Sequence, residues 1–131
     1  MLRIQSPLDD GLETLIHRVI GCCIEVHKQL GPGLLEVVYQ RAVGYELQAA
    51  GIRCEREKQY PIAYRGHRLY VHCLDIVVEE KLVLELKAVD RLHPVHKAQT
   101  ISSLRASKLP VALLINFNVD VLAQGIKRIV L

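Results

Sequence analysis

Asp75 and, ten residues further on, Glu85-Leu86-Lys87 are the residues of this chain whose types and spacing can do chemistry. They interrupt the stretch from Leu74 to Lys87, which otherwise reads as two buried β-strands. An ionised carboxylate or ammonium taken out of water is costly unless it is paired or bound to a metal. Two acidic oxygen ligands with a lysine nearby can hold a Mg²⁺-type ion and activate a water against a phosphodiester. The competing reading is a salt-bridged hairpin with its polar side toward solvent. Spacing alone does not choose.

Strand geometry sets a condition. Residues two apart share a face, so Glu85 and Lys87 point one way and Leu84 and Leu86 the other. With the odd loop Glu79-Glu80-Lys81, Val78 pairs with Leu82 and Asp75 falls opposite Glu85, with Cβ atoms about 4.5–5.5 Å apart. A two-residue loop at Glu80-Lys81 sets Asp75 opposite Leu86, on the wrong face. Carboxylates opposed this closely repel unless a cation lies between them or one is protonated. An all-oxygen ligand set suits Mg²⁺ or Mn²⁺ rather than Zn²⁺.

The elements that position these groups follow from periodicity. Ser6-Pro7 reads as an N-cap with Pro at the first helical position. Leu12, Leu15, Ile16, Val19, Ile20, Cys23 and Leu30 then recur at helical spacing, and Gly31-Pro32-Gly33 stops that helix. A second helix is expected from about Leu34 to Ala50, with Leu35, Val38, Tyr39, Ala42, Val43 and Ala50 as its apolar face. Glu36 flanks that face and Glu46 falls near its middle. The two lie ~15 Å apart along the axis, so one ion cannot take both, and periodicity does not say which approaches the sheet. Strands are expected at Gln59 to Tyr64 and Arg68 to Val78 around the turn Arg65-Gly66-His67, and at Leu82 to Val89. A helix from about Pro94 to Ala106, a buried strand from Val111 to Phe117 and a short last strand from Ile126 to Leu131 complete the order. Three antiparallel strands are thus followed by a helical crossover to a strand parallel to one of them.

The 131 residues are expected to form a single domain. Half are apolar and 24% charged, as in a soluble globular protein. No apolar run approaches the roughly 20 residues that span a bilayer, and the first residues hold no apolar signal core. A cytoplasmic location, without membrane contact, is the expectation. Cys22, Cys23, Cys54 and Cys73 form no C-x-x-C and no zinc spacing with the six histidines. Cys23 and Cys73 read as reduced core thiols. A net charge of +3 leans only weakly toward nucleic acid, and with no Trp and one Phe a stacking platform for single strands is not expected. Positive charge concentrates around the first hairpin (Arg53, Arg56, Lys58, Arg65, Arg68) and after the third strand (Arg91, Lys97, Arg105, Lys108). Either group can contact phosphates or form a solvated face. His93 and His96, flanking a helix start with Pro94, read as loop or cap residues before metal ligands.

Gly33-Leu-Leu-Glu36-Val-Val-Tyr39, then Asp75, Glu85-Leu86-Lys87, His96-Lys-Ala-Gln99 and the strand Leu113 to Phe117, follow one another in the order of the GxxExxY proteins. The chain resembles that branch of the PD-(D/E)XK nuclease superfamily from about Leu12 to Ile129. The resemblance implies an α/β fold with a mixed sheet: a restriction-endonuclease-like α-β-β-β-α-β core with an additional N-terminal helix. It implies Asp75 and Glu85 as principal metal ligands, the Leu86 carbonyl completing the coordination, and Glu36 as the helix acid near the metal. Lys87 is then the residue that orients the attacking water, Gln99 an auxiliary catalytic residue, and His96 a further, less defined one. The superfamily's Pro is replaced by Leu74, and Ser103-Leu104 stands where Tyr-Leu is usual. The expected activity is Mg²⁺- or Mn²⁺-dependent hydrolysis of nucleic-acid phosphodiesters, with DNA as the expected polymer and a homodimer as the expected assembly. The alternatives are a catalytically weak nucleic-acid-binding or regulatory module, and a metal-independent interaction domain.

Overall fold

The computed structural model describes residues 8–131, so the cap expected at Ser6-Pro7 lies outside the described residues. The first helix, α1 (Asp10–Leu30), begins later than that motif suggests, at Asp9, whose Oδ1 accepts from the Leu12 amide at 2.7 Å. A carboxylate there satisfies an orphan N–H and faces the positive end of the helix. After Gly31 comes α2 (Glu36–Ala49). Strands β1 (Cys54–Tyr64), β2 (His67–Val78) and β3 (Leu82–Lys87) follow, then α3 (Pro94–Ser107), β4 (Val111–Asn116), a 3₁₀ turn (Leu122–Gly125) and β5 (Ile126–Val130).

The sheet order is β1-β2-β3-β4-β5, with every neighbouring pair antiparallel except β3 and β4. That parallel pair is joined by α3, because strands running the same way cannot be linked by a tight turn. The β1–β2 connection is tighter than expected. Only Arg65 (φ 49) and Gly66 (φ 79) lie between the strands, both in the left-handed region that a two-residue hairpin turn requires. β1 also starts five residues before the expected Gln59, and β3 ends at Lys87 rather than Val89.

Each face of the sheet is covered. Ile76, Val78, Leu82, Leu84, Leu86, Leu113 and Ile115 meet Ile16, Val19 and Cys23 of α1 and Tyr39, Val43 and Leu47 of α2. On the opposite face Leu74, Val77, Val83, Ala112 and Leu114 lie against Leu104 of α3. Burial on both sides is why β3 and β4 read as near-continuous apolar runs.

Several expected core positions are exposed instead. Leu30, Val38 and Ala50 face solvent, and Leu35 is 73% exposed. The buried side of α2 is Tyr39, Gln40, Val43, Gly44 and Leu47, a face rotated from the apolar arc, and Arg56 of β1 lies across it at Gly44. A Cβ at Gly44 would meet the Arg56 Cδ at 2.9 Å. Cys73 is exposed rather than buried, whereas Cys23 is fully enclosed and burial pushes its thiol up to about 12. Among the described residues all four cysteines are free, and no helix is long and apolar enough to cross a membrane.

Candidate active site

The site forms where two strands part. β2 and β3 pair at Val78/Leu82, Val77/Val83 and Ile76/Leu84, closed by the three-residue turn Glu79-Glu80-Lys81. The odd turn is the one that sets Asp75 against Glu85 when the register is continued. There the ladder stops. The Leu86 N–H, which the same register would offer to Leu74, is taken at 2.8 Å by Asp75 Oδ2. N–H and C=O of one strand residue point to the same side, so the Leu86 carbonyl also opens toward this gap.

The distortion extends to β1. Leu74 and Val77, three apart, lie on the same face of the sheet, so the period of two fails across Asp75 and Ile76. The β1 residue between the Arg56/Ile76 and Lys58/Leu74 pairs is Glu57, held at φ 55. A non-glycine residue in that region costs on the order of 1 kcal/mol, and such strain gathers at functional sites.

Glu85 faces α3. Its Oε1 accepts from Ser103 Oγ at 2.9 Å, and Ser103 also lies 2.9 Å from His72 Nε2 and 3.1 Å from the Gln99 carbonyl. A hydroxyl has one proton to give. With that proton on Glu85, His72 donates its Nε2–H to Ser103, and the chain His72–Ser103–Glu85 is satisfied. Neither His72 nor Ser103 was legible as a carboxylate partner. Ser103, the departure from the Tyr-Leu pattern, thus contacts the Glu85 carboxylate directly.

The electrostatics are those of crowded acids. Burial raises the Asp75 carboxyl above the ordinary range, opposed by the Leu86 N–H and by Lys87, while Glu36 adds repulsion. Glu85 is pushed from 4.5 to about 7, first by burial and then by Asp75, with Ser103 and Lys87 opposing. Lys87, half-buried on the Glu85 side of β3, is a cation that acts on both. Its strand end is fixed by Asn116, whose side chain accepts from the Val89 amide at 3.1 Å and donates to the Val89 carbonyl at 2.8 Å.

The G-x-x-E-x-x-Y spacing now has a physical reason. Gly33, at φ 101, takes a conformation other residues rarely reach. The buried Tyr39 hydroxyl donates to the Gly31 carbonyl at 2.6 Å and accepts from the Leu34 amide at 3.1 Å, while its ring stacks on Phe117 at 4.6 Å. Loop and helix are thereby locked with Glu36 on the first turn of α2. Glu36 is exposed, yet its charge acts on both Asp75 and Glu85. Glu46, nearly three turns further along α2, instead lies beside Cys22 of α1.

One turn beyond Glu36 stands a residue that sequence reasoning missed. Gln40 is 7% exposed and its side chain opposes the rise of the Asp75 carboxyl, yet among the described residues its Oε1 has no partner. A buried amide oxygen without a donor is rare. Its signal in the sequence was only the i, i+4 spacing from Glu36.

The remaining expected residues are placed differently. The Gln99 side chain is exposed, and its backbone carbonyl makes the contact with Ser103. His96 Nδ1 accepts from the His93 amide at 2.9 Å, so both histidines cap α3. Among the described residues no three His, Cys, Asp or Glu side chains gather closely enough to hold an ion. Asp75 and Glu85 act on each other through their charges, and Gln40 and the Leu86 N–H act on Asp75. A cavity of about 820 Å³ between α2 and β1 is lined by Arg41, Arg53 and Arg56 with Glu55, Glu79 and Glu80, and by none of these site residues.

A five-stranded mixed sheet with helices on both faces and this parted hairpin define the restriction-endonuclease-like α/β class. A family model described as the PD-(D/E)XK nuclease superfamily matches residues 13–129, and the chain belongs to that superfamily. No curated protein and no solved structure matches the chain.

Proposed function

We propose that this chain is a nuclease of the GxxExxY branch, hydrolysing nucleic-acid phosphodiester bonds with Mg²⁺ or Mn²⁺, DNA being the expected polymer. The carrying observation is the parted ladder at Ile76/Leu84, where two raised carboxylates, an amide oxygen without a donor and one lysine converge.

The residues fit a hard cation. Asp75, Glu85, the Leu86 carbonyl and Gln40 Oε1 offer only oxygen, and the excess of carboxylates over Lys87 favours a divalent ion. Asp75 and Glu85 would hold it, the Leu86 carbonyl and Gln40 would complete the set, and Glu36 would act from outside through its charge. Such an ion, when bound, supplies Lewis-acid polarisation and a lowered water pKa.

The protein's own contribution is position. Ser103 and His72 fix the Glu85 carboxylate, the Leu86 N–H fixes Asp75, and Asn116 fixes the strand end that carries Lys87. Lys87 aligns the attacking water and opposes negative charge developing on the phosphoryl oxygens. Because one small site cuts one strand, the active form on duplex is a homodimer. Calorimetric titration of Mn²⁺ into wild type and Asp75→Asn tests the reading. Binding by wild type alone supports it, and equal binding or none refutes it.

A further inference from the structure

β1 and β2 are much longer than the strand beside them. β2 pairs with β3 only from Ile76 to Val78, whereas it pairs with β1 out to Tyr64/His67. Beyond Gln59/Cys73 the two strands form a free two-stranded ribbon reaching about 20 Å, at roughly 3.3 Å per residue. Its base is rooted in the site: His72 bonds Ser103, Tyr60 packs against the α3-side core, and Asp75 lies three residues inward.

The ribbon's composition is unlike that of a surface awaiting a protein. From Lys58 to Leu74 there is no carboxylate, while Arg65 and Arg68 carry positive charge; Lys58, at the base, is paired with Glu55. Arg65 lies over the Tyr64 ring at 5.4 Å, and Tyr64 and Tyr70 are exposed with Leu69. In a two-fold dimer of ribbons the same cations would meet with no acid in the ribbon to pair them. Pro61 interrupts the donors of the β1 strand edge, which disfavours addition of another strand there.

We infer that the β1–β2 ribbon is a duplex-gripping arm, which seats in a groove of double-stranded nucleic acid and so delivers the backbone to the carboxylates at its base. The fit is one of charge and shape. A groove about 12 Å wide admits a two-stranded ribbon, and arginines at its tip meet the phosphates on either side. This deepens the nuclease reading by naming a duplex as the substrate, and it rests on that reading only for what happens after binding.

The test separates the two. Binding of a labelled duplex and of the corresponding single strand is measured by fluorescence anisotropy in Ca²⁺ across a salt series. Wild type is compared with Arg65→Asn/Arg68→Gln, in which Asn tolerates the left-handed turn position, and with the charge-matched control Lys28→Ala/Lys81→Ala. Thermal melts confirm that each is folded, and Arg68→Glu alone serves if the double variant is not. The arm variant should lose affinity for duplex on the order of tenfold, with the log–log salt slope shallower by about two, and lose less for the single strand. The control should bind like wild type. Unchanged duplex affinity, equal losses on both strands, or a loss matched by the control overturns the arm. A shift from dimer to monomer in sedimentation would assign the ribbon to self-association and overturn it equally. If duplex binding depends on the arm but no preparation cleaves with Mn²⁺, the arm stands and the nuclease reading falls.

Discussion

Replacing Glu85 by Gln should stabilise the metal-free protein above neutrality and abolish its response to metal. Glu85 sits at about 7 instead of 4.5 because burial and Asp75 penalise its charge. The folded state therefore holds this proton more tightly than the unfolded chain does. Its stabilising contribution is full below the unfolded value of 4.5 and is lost as pH rises through about 7. At ~1.4 kcal/mol for each pK unit the loss comes to roughly 3 kcal/mol. Gln stays neutral and can still accept the Ser103 hydrogen bond, so it escapes the loss. Thermal melts in chelator should show the variant equal to wild type near pH 4.5 and more stable by on the order of 10 °C near pH 8. Added Mn²⁺ should raise the wild-type midpoint above neutrality and leave that of the variant unmoved. A Glu85→Gln protein that melts below wild type near pH 8 without metal would mean that a cationic partner stabilises the carboxylate. The crowded-acid account would then be wrong.

Lys87→Ala should remain folded and bind Mn²⁺ with undiminished affinity while losing roughly 10²–10³ in turnover, as read by calorimetry beside a cleavage assay. Ser103→Ala removes the donor to Glu85 and strands the His72 Nε2–H; metal affinity near neutral pH should fall by about 10–100-fold and recover in Ser103→Thr. Tyr39→Phe deletes the hydroxyl between Gly31 and Leu34, and urea melts should show a loss of about 1–3 kcal/mol.

The hairpin was the most legible part of the chain. Alternating apolar residues and the three-residue turn Glu79-Glu80-Lys81 gave the pairing of Val78 with Leu82, but that register ends at Ile76/Leu84, before Asp75 and Glu85. Element order followed from the same periodicities. The face of α2 did not, because hydropathy cannot register that Arg56 packs across Gly44 or that Leu35, at the N-cap, stays exposed. Partners distant in sequence were equally hidden. Ser103 reaches Glu85 and Gln40 reaches Asp75 only once α3 and α2 are laid on opposite faces of the sheet. The parting of β2 from β3 left no trace either. It depends on a side chain replacing a backbone partner, and on Glu57 adopting a conformation that its type does not favour.

The most direct test of the account is a cleavage screen with Mn²⁺ on structured DNA and RNA substrates, run with wild type, Lys87→Ala and a chelator control. Wild type should cut at least one duplex-containing substrate, and both the substitution and the chelator should silence it. Lys87→Ala cutting as fast as wild type would place the activity in another site, and the account of Asp75, Glu85 and Lys87 as its centre would fail.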